Sequence, residues 1–229
     1  MIEDSTILTI KKNFKRPSKS QVNAFKNFQT GNVVDAMNGR GSLSGNIKPL
    51  NAKYSSFVGV ALTSYCGPSD NLASIAAIGI AKKGDVVIAA TDAFSGSAVM
   101  GDLMLGIAKN RGVKAFVTDG FVRDIKGINN LALPCFCSGV IPNSPARNGP
   151  GTVGVSVVCG GMTINSGDII LGDQDGVVVV PLEIIDTVLE KLKFVVKLEK
   201  EMEKKVNTGL KSISIIEEIY KNGSIKEID

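Results

Sequence analysis

Histidine is absent from the 229-residue chain, which removes imidazole bases, Ser-His-Asp and Cys-His nucleophilic systems and histidine-ligated zinc. Proton chemistry must therefore run on carboxylates, Lys, Tyr, Cys or bound water. Tryptophan is absent too, and three Tyr and nine Phe leave little surface on which nucleobases could stack. The net charge of +4 is small, with lysines scattered or gathered near the C-terminus without interleaved aromatics, so no nucleic-acid partner is expected. No apolar run approaches the roughly 18 residues of a membrane span; the longest lies around residues 75–81. The acidic start Met1-Ile2-Glu3-Asp4 lacks the apolar segment of a signal peptide. The expectation is a protein of the cytoplasm with no membrane partner. Four cysteines (Cys66, Cys135, Cys137, Cys159) are too few for a disulfide scaffold. Cys135 and Cys137 alternate along an expected strand, so both sulfurs face one way, toward a buried apolar role.

What the chain does contain is ordinary core material: 44% hydrophobic and 21% charged residues, enough at this length for one domain, residues 1–229. Helical spacing is expected over 20–28 and 31–37, followed by the glycine-rich loop 38–45. Apolar runs at 57–63, 85–90 and 114–118 read as buried strands, with helices over about 71–81 and 97–110 between them. That alternation predicts parallel βαβ units. Beyond Arg123-Asp124 the chain reads as short strands at 135–138, 151–158, 162–164, 168–171 and 176–180. Pro181 then opens a long helix to about residue 207, and a shorter one follows over 212–220.

Candidate chemistry concentrates in two places. The segment 95–104 follows a strand and enters a helix; its small residues allow close approach, and free amides at a helix entry attract a carboxylate. The next strand runs toward Arg123-Asp124, where a guanidinium could grip a carboxylate and the acid could hold a divalent cation. By itself such a dipeptide is more often a surface salt bridge. The glycine clusters at 39–45 and 148–151 fit neither a dinucleotide fingerprint nor a P-loop.

Asp102, twenty intervening residues and Arg123-Asp124 resemble the D-x20-R-D motif of the class II pyruvate aldolases that act on 4-hydroxy-4-methyl-2-oxoglutarate and 4-carboxy-4-hydroxy-2-oxoadipate. The likeness extends in order through Asn32-Val33-Val34-Asp35, Ser69-Asp70-Asn71-Leu72, Gly84-Asp85-Val86-Val87, Gly101-Asp102-Leu103-Met104, Asn148-Gly149-Pro150-Gly151 and Gly172-Asp173-Gln174-Asp175-Gly176, over about residues 25–210. These aldolases share their fold with the regulator of ribonuclease activity A. The resemblance therefore implies an α/β chain of the swivelling β/β/α (RraA-like) type, a single domain with a long C-terminal helix, assembled as homotrimer or hexamer.

It also implies roles. The acid matching Asp124 binds Mg²⁺ or Mn²⁺ directly, and those matching Asp102 and Glu199 hold it through water, Glu199 coming from a neighbouring subunit onto which the segment 181–229 packs. Arg123 contacts the pyruvyl oxygens, the backbone at Gly101, Leu103 and Met104 receives the substrate carboxylate, and Asn71 and Asp35 face the departing half. Glu199 interrupts an apolar helical stripe running from Leu182 through Ile185, Val188 and Leu192 to Val206, so it must meet a partner or solvent; Glu203 is a rival near the same face. The implied activity is metal-dependent cleavage of a 4-hydroxy-2-oxo acid to pyruvate, with oxaloacetate decarboxylation alongside. The alternatives are a non-catalytic regulator binding a ribonuclease or helicase, and an imine-forming aldolase using Lys114 or Lys126.

Overall fold

The computed structural model describes residues 6–228; the acidic start Met1-Ile2-Glu3-Asp4 lies outside the described residues. Strand β1 (Leu8–Ile10) leads into α1 (Lys19–Ala24) and α2 (Thr30–Ala36). Helix α1 opens with a capping box: Ser18 accepts from the Gln21 amide while the Gln21 side chain accepts from the Ser18 amide. After β2 (Lys48–Pro49) come β3 (Phe57–Tyr65), α3 (Leu72–Ile80) and β4 (Asp85–Ala90), as the apolar runs predict.

The next stretch departs from expectation. Residues 97–110 are not one helix but strand β5 (Ala98–Met100), a break at Gly101, and helix α4 (Asp102–Asn110). Ala98, Val99 and Met100 are buried, and a short apolar run covered on all sides has no period that separates strand from helix. Strand β6 (Ala115–Thr118) is followed by β7 (Phe121–Val122) and by α5 (Ile125–Leu131). The sequence hides α5 because Gly127 and two asparagines dilute its helical signal.

Strands β8 (Cys135–Cys137), β9 (Gly139–Val140), β10 (Gly151–Val153), β11 (Val157–Cys159), β12 (Met162–Ile164), β13 (Ile169–Gly172) and β14 (Val177–Val180) follow. Gly154, at φ +82°, divides the expected strand 151–158 in two. A 3-10 turn, Leu182–Ile184, then leads into α6 (Ile185–Asn207), and α7 (Ser214–Lys221) follows.

Nine strands form the main sheet in the order β1-β10-β3-β4-β6-β8-β2, with β13 joining β3 and β14 joining β13. Its centre, β3-β4-β6-β8, is parallel and covered on both faces, which is why β4 after Asp85 reads as an unbroken apolar run over 86–90. Val87 and Ala89 pack toward α3 and α4, whereas Val86, Ile88 and Ala90 face Leu43, Ile47 and the β11-β12 hairpin. Cys135 and Cys137 join the first cluster and Phe136 the second, as alternation requires. All four cysteines are buried and free. Burial pushes the Cys137 thiol up to about 11 and raises Cys135 and Cys159 as well.

Helices α1, α2 and α6 pack over β13 and β14, with Phe25, Val33, Ile185, Val188 and Leu192 at the centre. The apolar stripe of α6 is buried only at its start. Phe194, Leu198, Met202 and Val206 form an exposed ridge at four-residue spacing, extended by Leu210, Ile213 and Ile216. A separate parallel sheet, β5-β7-β9, stands beside the main one and carries the site described next.

Candidate active site

Strands β5 and β7 are parallel, with Met100 opposite Val122. Each therefore delivers its next two residues to the same edge: Gly101-Asp102 from one, Arg123-Asp124 from the other. The Arg123 amide donates to the Met100 carbonyl at 3.0 Å and ties the two ends together. Carboxyl ends of parallel strands are where open α/β sheets place ligands. The expected principle is met, but on the small sheet rather than at the ends of β4 and β6.

Asp124 adopts the left-handed conformation (φ +64°, ψ +44°) at the N-cap of α5, yet its side chain caps no amide there. A non-glycine residue in that region costs on the order of 1–3 kcal/mol, and such strain clusters where geometry matters to function. Its carboxylate lies 3.4 Å from the Arg123 Nε, both side chains remaining partly exposed. Space for it is made by Gly101, where a Cβ would fall 2.5 Å from Asp124 Oδ2 and 3.3 Å from Arg123 Nε. The reciprocal arrangement holds for Asp102, whose carboxylate occupies the position that a Cβ on Gly127 would need. Each acid thus sits against a glycine of the other segment. Gly127 was not foreseen; its signal is a lone glycine inside a short helix.

One cavity of about 80 Å³ is lined by Gly101, Asp102, Leu103, Met104, Arg123, Asp124 and Asn71 together. That is far below the roughly 300 Å³ at which drug-sized ligands are accommodated, so the space suits a few heavy atoms rather than a nucleotide. Helix α4 starts here with Gly101 as an N-cap that has no side chain to accept from the first amides. Those amides, at Leu103 and Met104, are available to an anion.

Asn71 gives a sharper constraint. It is 3% exposed, its Nδ2 donates to the Val99 carbonyl at 3.1 Å, and its Oδ1 has no partner. The Val99 carbonyl can only accept, so the amide orientation is set and the buried acceptor is left wanting a donor. Asp70 beside Asn71 caps the start of α3, accepting from Leu72 N, and its other oxygen accepts from the amides of Asn148 and Gly149. That anchors the 143–149 loop, which places the Ser144 hydroxyl oxygen to accept from Arg123 Nη1 and sets Arg147 in the cavity wall. Arg147 was also missed, since nothing local to it signals a site more than 20 residues away in the chain.

Glu199 and Asp35 do not line this cavity. Glu199 is on α6, where its Oε2 accepts from Asn32 Nδ2 of α2 at 2.7 Å; Asp35 is on the same helix as Asn32. Neither Lys114, just before β6, nor Lys126, on α5, belongs to the cavity wall.

A family model described as RraA-like, aldolase/RraA, matches residues 30–179. The chain belongs to the RraA-like family. Among relatives of this family, a Halalkalibacterium halodurans protein named "Putative 4-hydroxy-4-methyl-2-oxoglutarate aldolase" is 38% identical over 172 residues, covering 75% of this chain and 81% of that one. In structure, a protein of uncharacterised role from Pseudomonas syringae pv. tomato superposes with a TM-score of 0.75 at 26% identity, over 86% of this chain and 96% of the other. Streptomyces coelicolor RraAS2, described as an unusual member of the RNase ES inhibitor RraA protein family, superposes with a TM-score of 0.74 at 23% identity, over 83% and 100%. The RraA-like fold expected from the motif segments is thereby present. Among the described residues no helix is long and apolar enough to cross a membrane.

Proposed function

We propose that the protein cleaves a 4-hydroxy-2-oxo acid by retro-aldol chemistry, releasing pyruvate and a second carbonyl compound, with Mg²⁺ or Mn²⁺ as cofactor and oxaloacetate decarboxylation as a side activity. The observation that carries the reading is the cavity itself: two carboxylates, two guanidinium groups, two helix-entry amides and an orphaned buried amide oxygen converge on a space that fits the reacting end of such an acid.

The donor set suits a hard cation. Mg²⁺ is usually held by one or two carboxylates together with water and substrate oxygens, not enclosed by protein. Among the described residues no group of three or more His, Cys, Asp and Glu is placed to enclose an ion, while Asp124 offers a carboxylate that caps nothing. Asp124 would hold the cation directly, and Asp102 at longer range. When bound, the cation acts as a Lewis acid toward the enolate that forms on the pyruvyl half.

The chain's own groups do the rest. Amides of Leu103 and Met104 receive the substrate carboxylate, and Arg123 adds a fixed positive charge beside the developing oxyanion, where preorganised charge is most effective. Asn71 Oδ1 accepts from the 4-hydroxyl, which orients the bond that breaks. With no histidine in the chain, the 4-hydroxyl proton passes toward the Asp102 carboxylate, directly or across a water, and C3 of the pyruvyl half takes up a proton from water to give pyruvate. Glu199 completes the site of an adjoining copy in a trimer or hexamer; the exposed ridge of α6 supports such packing.

That same ridge, Phe194 to Val206, is what favours a second reading, a non-catalytic regulator that engages a ribonuclease or helicase. A coupled assay for pyruvate release from 4-hydroxy-4-methyl-2-oxoglutarate separates the two. Turnover is expected with Mg²⁺ or Mn²⁺, lost in EDTA and restored by either ion. Absence of pyruvate under every condition, from folded protein, would exclude the aldolase reading.

A further inference from the structure

A second hollow lies away from the catalytic cavity, between the C-terminal end of α2, strand β14 and the start of α6. Its volume is about 350 Å³, within the range of small-molecule pockets. Met37, Met162, Val179 and Val188 form an apolar floor, and Arg40 and Lys191 stand at the rim. No carboxylate lines it, and among the described residues neither cation is paired with an acid. The wall is pinned by backbone: Val179 N donates to the Gly41 carbonyl at 2.9 Å, and at Gly41, φ +92°, a Cβ would fall 2.8 Å from the Val179 carbonyl oxygen.

An apolar floor under two unneutralised cations matches one kind of ligand. We infer that this hollow binds a monocarboxylate with a hydrocarbon body, its chain on the methionines and valines and its head between Arg40 and Lys191. A guanidinium grips a carboxylate through two parallel hydrogen bonds, and an ammonium adds a point charge. A phosphate-rich ligand is disfavoured because most of the lining is apolar and would face its oxygens without donors, and an uncharged apolar one leaves the cations unused. The inference does not depend on the aldolase reading, since it shares no residue with the catalytic cavity.

Calorimetric titration of the full-length protein with octanoate tests it, using acetate and octan-1-ol as partial ligands. Octanoate is expected to saturate at one per chain, with both partial ligands at least tenfold weaker. Arg40→Gln with Lys191→Gln should weaken octanoate at least tenfold at unchanged melting temperature, and Thr187→Trp, at the exposed mouth, should block it; Asp124→Ala should bind as the wild type does. Failure to saturate, equal binding of octan-1-ol, or indifference to the Arg40/Lys191 change overturns the proposal. So does competition by pyruvate, which would put octanoate in the catalytic cavity. Dissociation of an oligomer by octanoate in light scattering would show that a second copy occupies the hollow, and overturns it too.

Discussion

Asp119 and Asp124 lie five positions apart, each just beyond a parallel strand, and they have opposite fates. Asp119, after β6, is 6% exposed; it accepts from Thr91 N at 2.8 Å, Thr91 Oγ1 at 3.0 Å and Ala93 N at 3.2 Å. It holds together a turn in which Asp92 and Ala93 both take positive φ. Asp124, after β7, caps no amide of α5, faces a cavity and, among the described residues, pairs only with the Arg123 guanidinium. The type of residue and its place at a strand end are the same. What distinguishes a working carboxylate from a scaffolding one is whether the fold has already used its acceptor capacity, a property that no single residue displays in a sequence.

The difference predicts opposite phenotypes. Asp124→Ala removes a group with few partners and should cost at least about a thousandfold in kcat/KM, roughly 4 kcal/mol of transition-state stabilisation, while the melting temperature moves little. Arg123→Ala should behave alike. Asp119→Ala leaves three donors facing a void, costing on the order of 3 kcal/mol of stability, or roughly 10 °C for a chain of this size. Pyruvate-release kinetics beside calorimetric melting read both axes. A stability loss in Asp124→Ala as large as that in Asp119→Ala, or an active Asp124→Ala, would erase the distinction.

Much of the fold was legible because its strongest signals are local. The β4 strand appears as its full apolar run, Pro181 marks the approach to α6, and the segment around Asp102 and Arg123-Asp124 carries the family's motif. The misses have physical causes as well. Strand β5 is three buried residues, too short for any period to show; α5 is hidden by Gly127; and Arg147 reaches the cavity through a loop anchored by Asp70. Seven of the residues named from the sequence do meet in one cavity. Glu199 does not, and within one chain it answers to Asn32.

The glycine pair sharpens the contrast further, because it should disturb the working acids without removing them. Gly127→Ala places a methyl group where the Asp102 carboxylate lies, and Gly101→Ala does so against Asp124. Gly101 has an ordinary extended φ of −129°, so an alanine there is limited by space alone. A shift of the acids by about 1 Å is worth up to a hundredfold in rate, and a loss of about ten- to a hundredfold in kcat is expected for each. Alanine is otherwise the better helix former at position 127 by about 1 kcal/mol. A Gly127→Ala protein that is more stable yet slower would separate the catalytic need for that glycine from its structural cost. Unchanged kcat in both variants would mean that the acids need not stand where the structure puts them.

The smallest effect belongs to the buried face of the main sheet, which by this comparison should influence stability and leave the site's acid–base chemistry alone. Burial moves the Cys137 thiol from 9.0 to about 11. Its contribution is complete below pH 9 and is lost as pH rises through 11, because in that window the unfolded chain has released a proton that the folded chain retains. Two pK units correspond to at most about 3 kcal/mol, so the melting temperature should fall between pH 9 and 11. Cys137→Val should flatten that fall in part, since the Cys66, Cys135 and Cys159 thiols and the Tyr65 phenol are raised as well and contribute in the same direction. The pH profile of kcat/KM over the same range should be identical in the two proteins. A shifted profile in Cys137→Val would couple the sheet to the cavity and contradict the separation drawn between them.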